Sequence, residues 1–170
     1  MASVSDLLVD GFERVNGVVH QAVEGLDEEA LAARLDAEAN SIAWLVWHLA
    51  RVQDDHVSEA AGVEQQWTVG GWSAKFDLPL APVDTGYGHS PQDVATVRVS
   101  RADLLTGYHD AVHAQTVAFV AGVSESDLDR VVDESWDPPV TLGVRLVSVL
   151  SDTLQHAGQA AFVRGVLARG

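Results

Sequence analysis

The sequence predicts an all-α protein: a four-helix bundle with a long ordered crossover loop, formed as one domain over residues 1–170. Three observations carry this. Four long segments repeat apolar residues at helical spacing, the stretch from Trp67 to Pro91 has no period at all, and no internal repeat or strand pair stands out. A chain of 170 residues with 47% hydrophobic content is large and apolar enough for one proper core.

The first helix is expected over Val4 to Val23, where Leu7, Leu8, Phe12, Val15, Val19 and Ala22 share a face. The turn-rich link GLDEEALAARLDAEAN has room for a helical turn or two. Asn40 is the expected N-cap of the second helix, SIAWLVWHLARVQDDHVSEAAG, with Gly62 its natural stop. The glycines, prolines and aromatics of WTVGGWSAKFDLPLAPVDTGYGHSP then interrupt every pattern. Loops this long inside a compact domain are functional or disordered, and Trp67, Trp72, Phe76 and Tyr87 argue for order. Ser100 and Asp103 resemble a capping box that opens the third helix, RADLLTGYHDAVHAQTVAFVAGV. A second irregular piece, DESWDPPV, leads to Thr141, the expected cap of a last helix that runs to about Leu167.

Charge narrows the function. With 25 acidic against 10 basic residues the formal net charge is −15, which disfavours phosphate backbones and anionic lipid, so neither nucleic acid nor membrane is an expected partner. The chain has no cysteine, which removes disulfides, thiolate ligands and a cysteine nucleophile. The N-terminus lacks the pattern of a signal peptide and no stretch reads as a membrane span, so a cytoplasmic location is expected.

The chemistry concentrates in LSDTLQHAGQAAFV. Asp152 and His156 lie four apart on an apolar helix, and Arg145, Ser148 and Gln159 continue the same face. The stripe is either a solvent face or a ligand face; its amides and single carboxylate–imidazole pair differ from the Asp-, Glu- and Arg-rich surfaces elsewhere. His48, in the apolar segment WLVWHLARVQDDH, supplies a third group from another helix. A lone histidine there is ordinarily a packed core residue, but bundles build metal sites from facing helices. Two imidazoles and a carboxylate suit zinc, nickel, iron or manganese and leave positions open. The divalent cation would then offset a charge in an apolar helix.

Around this set, Asp55 and His56 either orient a ligand imidazole or form an exposed helix end, and Gln155 is a further candidate for an orienting role. Arg145 and Gln159 are candidates for contact with substrate. So are Trp136, Trp72 and Tyr87, although aromatics of this kind more often pack the open end of a bundle. His20, His89, His109 and His113 lack partners at ligand spacing and read as surface or packing residues. No phosphate loop, nucleophile elbow or dinucleotide fingerprint is present, and the GYG at Gly86 reads only as a turn.

The segments NSIAWLVWHLARVQDDHV, DTGYGHSP, VDESWDPPVTLGVRLVSV and DTLQHAGQAAFVRG together resemble the DinB-like superfamily, in the branch grouped with mycothiol-dependent S-transferases. The likeness spans nearly the whole chain. It implies an up-down-down-up four-helix bundle with a metal held by three side chains at one end. The family's first ligand histidine matches His48, and its closing His-x-x-x-His motif matches Asp152 and His156, with aspartate in place of the first histidine. Mycothiol-dependent maleylpyruvate isomerase, a relative, similarly has a carboxylate there. The function this implies is a metal-dependent thiol transferase or isomerase in which the metal activates the thiol of an external cofactor, mycothiol, for attack on an electrophilic small molecule. Two other readings stay open: hydrolysis by water activated at the same metal, and a non-catalytic metal-stabilised stress-response or interaction module, with a homodimer among the open partners.

Overall fold

The computed structural model describes residues 2–169. Its elements are α1 (Val4–Val23), α2 (Glu28–Ala32), α3 (Ile42–Ala61), α4 (Gln66–Val69), α5 (Trp72–Phe76), α6 (Pro91–Thr96), α7 (Ala102–Val120), a 3-10 turn at Glu125–Asp129, the strands β1 (Val131–Asp133) and β2 (Val140–Thr141), and α8 (Leu142–Leu167). The four long helices α1, α3, α7 and α8 form the expected bundle. α3 and α1 each pack against both α7 and α8, so α1 and α3 sit on opposite corners. Among the described residues no helix is long and apolar enough to cross a membrane.

Local chemistry sets the helix ends. Ser3 closes a capping box with Asp6 at the start of α1. The α3 cap is Ser41, one residue beyond the expected Asn40; its hydroxyl accepts from the Trp44 amide at 3.1 Å. Gly62 ends that helix in the left-handed conformation at φ 69°. The capping box expected from Ser100 and Asp103 does not form. Arg101 occupies the N-cap without a side-chain bond, and Asp103 pairs instead with Arg101 at 3.0 Å. Thr141 caps α8 as expected, and the helix ends at Leu167.

The pieces read as irregular hold more structure than their patterns suggest. The Trp67–Pro91 stretch contains the short helices α4 and α5 and runs into α6, and the second irregular piece lies between β1 and β2, which pair antiparallel. Elements of four or five residues are too short to show a period.

α3 is the most buried of the long helices, with Ile42 to Arg51 continuously inside. Its burial includes an ion pair: Arg51 and Asp54 are fully enclosed, 3.7 Å apart. Asp54 also accepts from the amides of Gln66 (2.9 Å) and Trp67 (2.7 Å) and from the Tyr108 hydroxyl (2.9 Å). Arg51 donates to the Asp84 carbonyl (3.1 Å) and to Gln65 (2.9 Å), and lies 5.0 Å from the Trp67 ring centroid. These bonds compensate two charges that would be costly alone, leaving only Arg51 Nη2 without a hydrogen-bond partner, and they tie both ends of the crossover segment to the middle of α3.

A second polar group is buried between α1 and α7. His109 is fully enclosed; its Nδ1 accepts from Asn16 at 3.3 Å, and its Nε2 has no partner. Burial, then the neighbouring His113 ring, pushes the His109 pKa down to about 3 from 6.5. A histidine depressed in this way contributes stability above 6.5 that is lost as the pH falls toward 3, because the unfolded chain takes up the proton first. Over that window the loss from this one group is about 1.4 kcal/mol per pH unit. Urea denaturation of metal-free protein as a function of pH is expected to show that slope. His109→Gln is expected to remove this increment, and an unchanged slope in the variant would contradict the assignment.

Candidate metal centre

α3 and α8 bring the three predicted ligands together. His48, Asp152 and His156 each offer one donor atom within 4.8 Å of the others, and among the described residues they form the one such cluster. The i, i+4 spacing on α8 stacks Asp152 over His156, whose Nε2 lies 3.5 Å from Asp152 Oδ1. Donors sharing one tetrahedral cation at about 2.1 Å lie roughly 3.4 Å apart, so this pair is already at ligand spacing. The His48 and His156 rings meet edge to face with centroids 4.8 Å apart.

Each imidazole is oriented by a carbonyl at its far nitrogen. His48 Nδ1 donates to the Thr85 carbonyl at 2.5 Å, and His156 Nδ1 donates to Gln159 Oε1 at 2.9 Å. A ring that donates through Nδ1 presents Nε2 as a lone pair, which is the tautomer a cation needs. The third group fits too: Asp152 Oδ2 is buried and has no hydrogen-bond partner in the protein. An orphaned carboxylate oxygen beside two imidazoles suits a cation.

Electrostatics separate the two histidines. Burial is the main influence on His48 and holds its pKa below the ordinary value, although the Thr85 bond works the other way. Burial also opposes charge on His156, but the bonds to Asp152 and Gln159 outweigh it and raise that pKa. In the metal-free protein a proton and a cation are therefore alternative occupants of the same pocket.

The walls come from α3 and the crossover loop. Trp44, one turn before His48, stacks on its ring at 4.5 Å and 15°, and presents its face edge-on to His156 at 6.1 Å. The Trp44 indole donates to His89 Nδ1 at 3.1 Å, and His89 Nε2 donates to Asp84 at 3.0 Å. His89 thus packs the loop onto α3, in keeping with a packing role. Gly86 does more than turn the chain. Its φ is +88°, and a Cβ there would lie 2.9 Å from both His48 Nδ1 and Trp47.

Beside the triad opens a cleft of about 480 Å³, lined in part by His48, Asp55, His56, Asp133, Arg145 and Asp152. Arg145 lies against its wall, donating to His56 Nδ1 (3.0 Å) and to Asp133 (2.8 Å), with its Nε buried and unpartnered. Asp55 accepts from Gln65 at 2.7 Å. Asp55 and His56 therefore serve the cleft wall and make no bond to a ligand imidazole. Burial, then the Arg145 charge, lowers the His56 pKa and favours its neutral ring. Tyr87 and Trp136 reach the cleft as largely exposed aromatics, one from the crossover loop and one from the segment between β1 and β2.

Three candidates fall elsewhere. Trp72 packs on Tyr108 with Lys75 3.9 Å above its ring and does not line the cleft, because α5 turns it toward α7. Gln155 donates to the Ser151 carbonyl and hydroxyl, both at 3.1 Å, on the outside of α8. Gln159 holds the His156 ring and does not line the cleft. Sequence reasoning missed Trp44, Thr85, Gly86 and Asp133; only Trp44, four residues before His48, carried a spacing signal.

A family model described as mycothiol-S-transferase matches residues 7–169. Among solved structures, a protein described as the conserved protein of a locus from Enterococcus faecalis superposes with a TM-score of 0.92 at 29% identity, with 100% of each chain covered. No curated protein matches the chain.

If Gln159 fixes the His156 tautomer, Gln159→Leu is expected to weaken zinc binding about 10–100-fold in a chelator competition without unfolding the helix. Affinity equal to that of the parent protein would remove that role.

Proposed function

The chain belongs to the mycothiol-S-transferase family, and on that premise we propose that it transfers an external thiol to an electrophilic small molecule at the His48–Asp152–His156 centre. The observation that carries the reading is the pair of imidazoles, each anchored through Nδ1, facing one carboxylate with an unpartnered oxygen. Such a donor set holds a divalent cation, zinc by its preference for nitrogen and oxygen in a tetrahedral site, with nickel, iron and manganese as alternatives. A bound cation of this kind supplies the charge that deprotonates a coordinated thiol at neutral pH.

The chain's own residues do the rest. Three protein donors leave room for an exogenous sulfur, and the absence of cysteine means that the sulfur comes with the cofactor, for which mycothiol is the family's candidate. Trp44 and the Thr85–Gly86 backbone close one side of His48, so the approach runs from the cleft. There Arg145 is fixed by Asp133 and His56, close to where a polar group of either reactant would rest. Tyr87 and Trp136 offer flat apolar surfaces at the mouth for the electrophile. In the transfer the sulfur–carbon bond forms, the leaving group departs with the bonding pair, and the thiol proton passes to solvent.

The test is a conjugation assay with mycothiol and monobromobimane on metal-loaded, metal-stripped and His156→Ala protein. The expected result is a thiol-dependent rate that chelation abolishes and zinc restores, with His156→Ala slower by at least about 100-fold. Equal turnover by His156→Ala would contradict the proposal. Product formed without any thiol would point to hydrolysis instead.

A further inference from the structure

The outward face of α8 is unusual for so acidic a chain. Its exposed positions from Val144 to Phe162 are Val144, Val147, Ser148, Ser151, Leu154, Gln155, Gly158, Gln159, Ala161 and Phe162, and none is charged. Val144 (54%), Val147 (65%), Leu154 (52%) and Phe162 (64%) are large side chains left open. By contrast the exposed positions of α1 include Asp6, Asp10, Glu13 and Arg14.

The order along this face is regular. Val144, Val147, Ser151, Leu154, Gly158 and Ala161 alternate steps of three and four, which is the heptad seam one helix presents to another. Gly158 is otherwise unexplained. Glycine is the poorest helix former short of proline, yet this one sits inside a continuous helix, and a Cβ added there would meet nothing within 4 Å. Nothing inside the molecule requires its smallness; a second backbone approaching from outside would.

We propose that this seam is the contact between two copies of the chain, α8 packed antiparallel on α8 about a two-fold axis midway between Ser151 and Leu154. Charge selects the partner. Two copies carrying −15 each repel one another over most of their surface, and α8 is a long face on which they can meet without opposed carboxylates. Shape selects the direction. The large residues Val144 and Val147 precede Leu154 and the small residues Gly158 and Ala161 follow it, so antiparallel packing sets large against small, whereas parallel packing would set glycine against glycine. Such a contact is isologous and closed, which produces a dimer and not a filament.

Sedimentation velocity on the metal-loaded full chain tests this, using the parent protein, Leu154→Glu and Gly158→Glu, with helix content checked by circular dichroism. The expected result is twice the chain mass for the parent and a single chain mass for each variant at unchanged helicity. Because the chain has no cysteine, a double Ser151→Cys, Leu154→Cys variant and Val144→Cys report the direction: antiparallel packing links position 151 of one copy to position 154 of the other on oxidation and leaves Val144→Cys unlinked. A monomeric parent, a dimer that survives both glutamates, or self-linking through Val144→Cys would overturn the proposal. These readouts involve neither thiol nor electrophile, so they stand or fall separately from the proposed reaction.

Discussion

The hydrogen bond from His48 Nδ1 to the Thr85 carbonyl is the constraint on which the site depends. An imidazole buried in an apolar helix has two nitrogens to satisfy, and a backbone carbonyl takes only one. By occupying Nδ1, Thr85 leaves Nε2 facing α8, where Asp152 and His156 wait. Without that carbonyl, burial would still keep the ring neutral, but nothing would choose its tautomer or its tilt. The carbonyl belongs to a loop, so the placement of the loop becomes part of the geometry of the candidate site.

Placement comes from α3 itself. Arg51 and Asp54, fully enclosed one and two turns beyond His48, bind the loop at both ends: Asp54 takes the Gln66 and Trp67 amides, and Arg51 reaches the Asp84 carbonyl beside Thr85. Trp44 adds a third attachment through His89. Gly86 lets the backbone come close enough to His48 for the arrangement to exist, since any side chain there would collide with the ring it supports. Charges are buried in the core of this protein not for their net stabilisation, which is modest for such pairs, but because several directed bonds converge on them. The same helix therefore supplies a candidate ligand and the scaffold that orients it.

Long-period features were legible in the sequence, and short or non-local ones were not. α1, α3, α7 and α8 announced themselves through apolar spacing, and the Asp152–His156 pair through its helical interval within an apolar run. Their meeting with His48 followed from bundle geometry. The partners of the ligands were mostly hidden, because Thr85 contributes a carbonyl, which any residue has, and Gly86 looks like every other turn glycine. Gln159 is visible on the right face but reads as a substrate contact, since spacing alone does not distinguish a side chain that folds back on its own helix from one that points away. Trp72 stood in a loop full of aromatics, and only the fold separates it, turned inward on Tyr108, from Tyr87 at the cleft mouth.

The proposed chemistry needs one cation held by one carboxylate and two imidazoles from separate helices. X-ray absorption at the zinc edge, on protein loaded to one equivalent, reads that set directly. Two imidazole nitrogens at about 2.0–2.1 Å and one carboxylate oxygen are expected, with one imidazole lost in His48→Ala and one in His156→Ala. A spectrum without imidazole scattering, or one that either substitution leaves unchanged, would contradict the centre on which the rest is built.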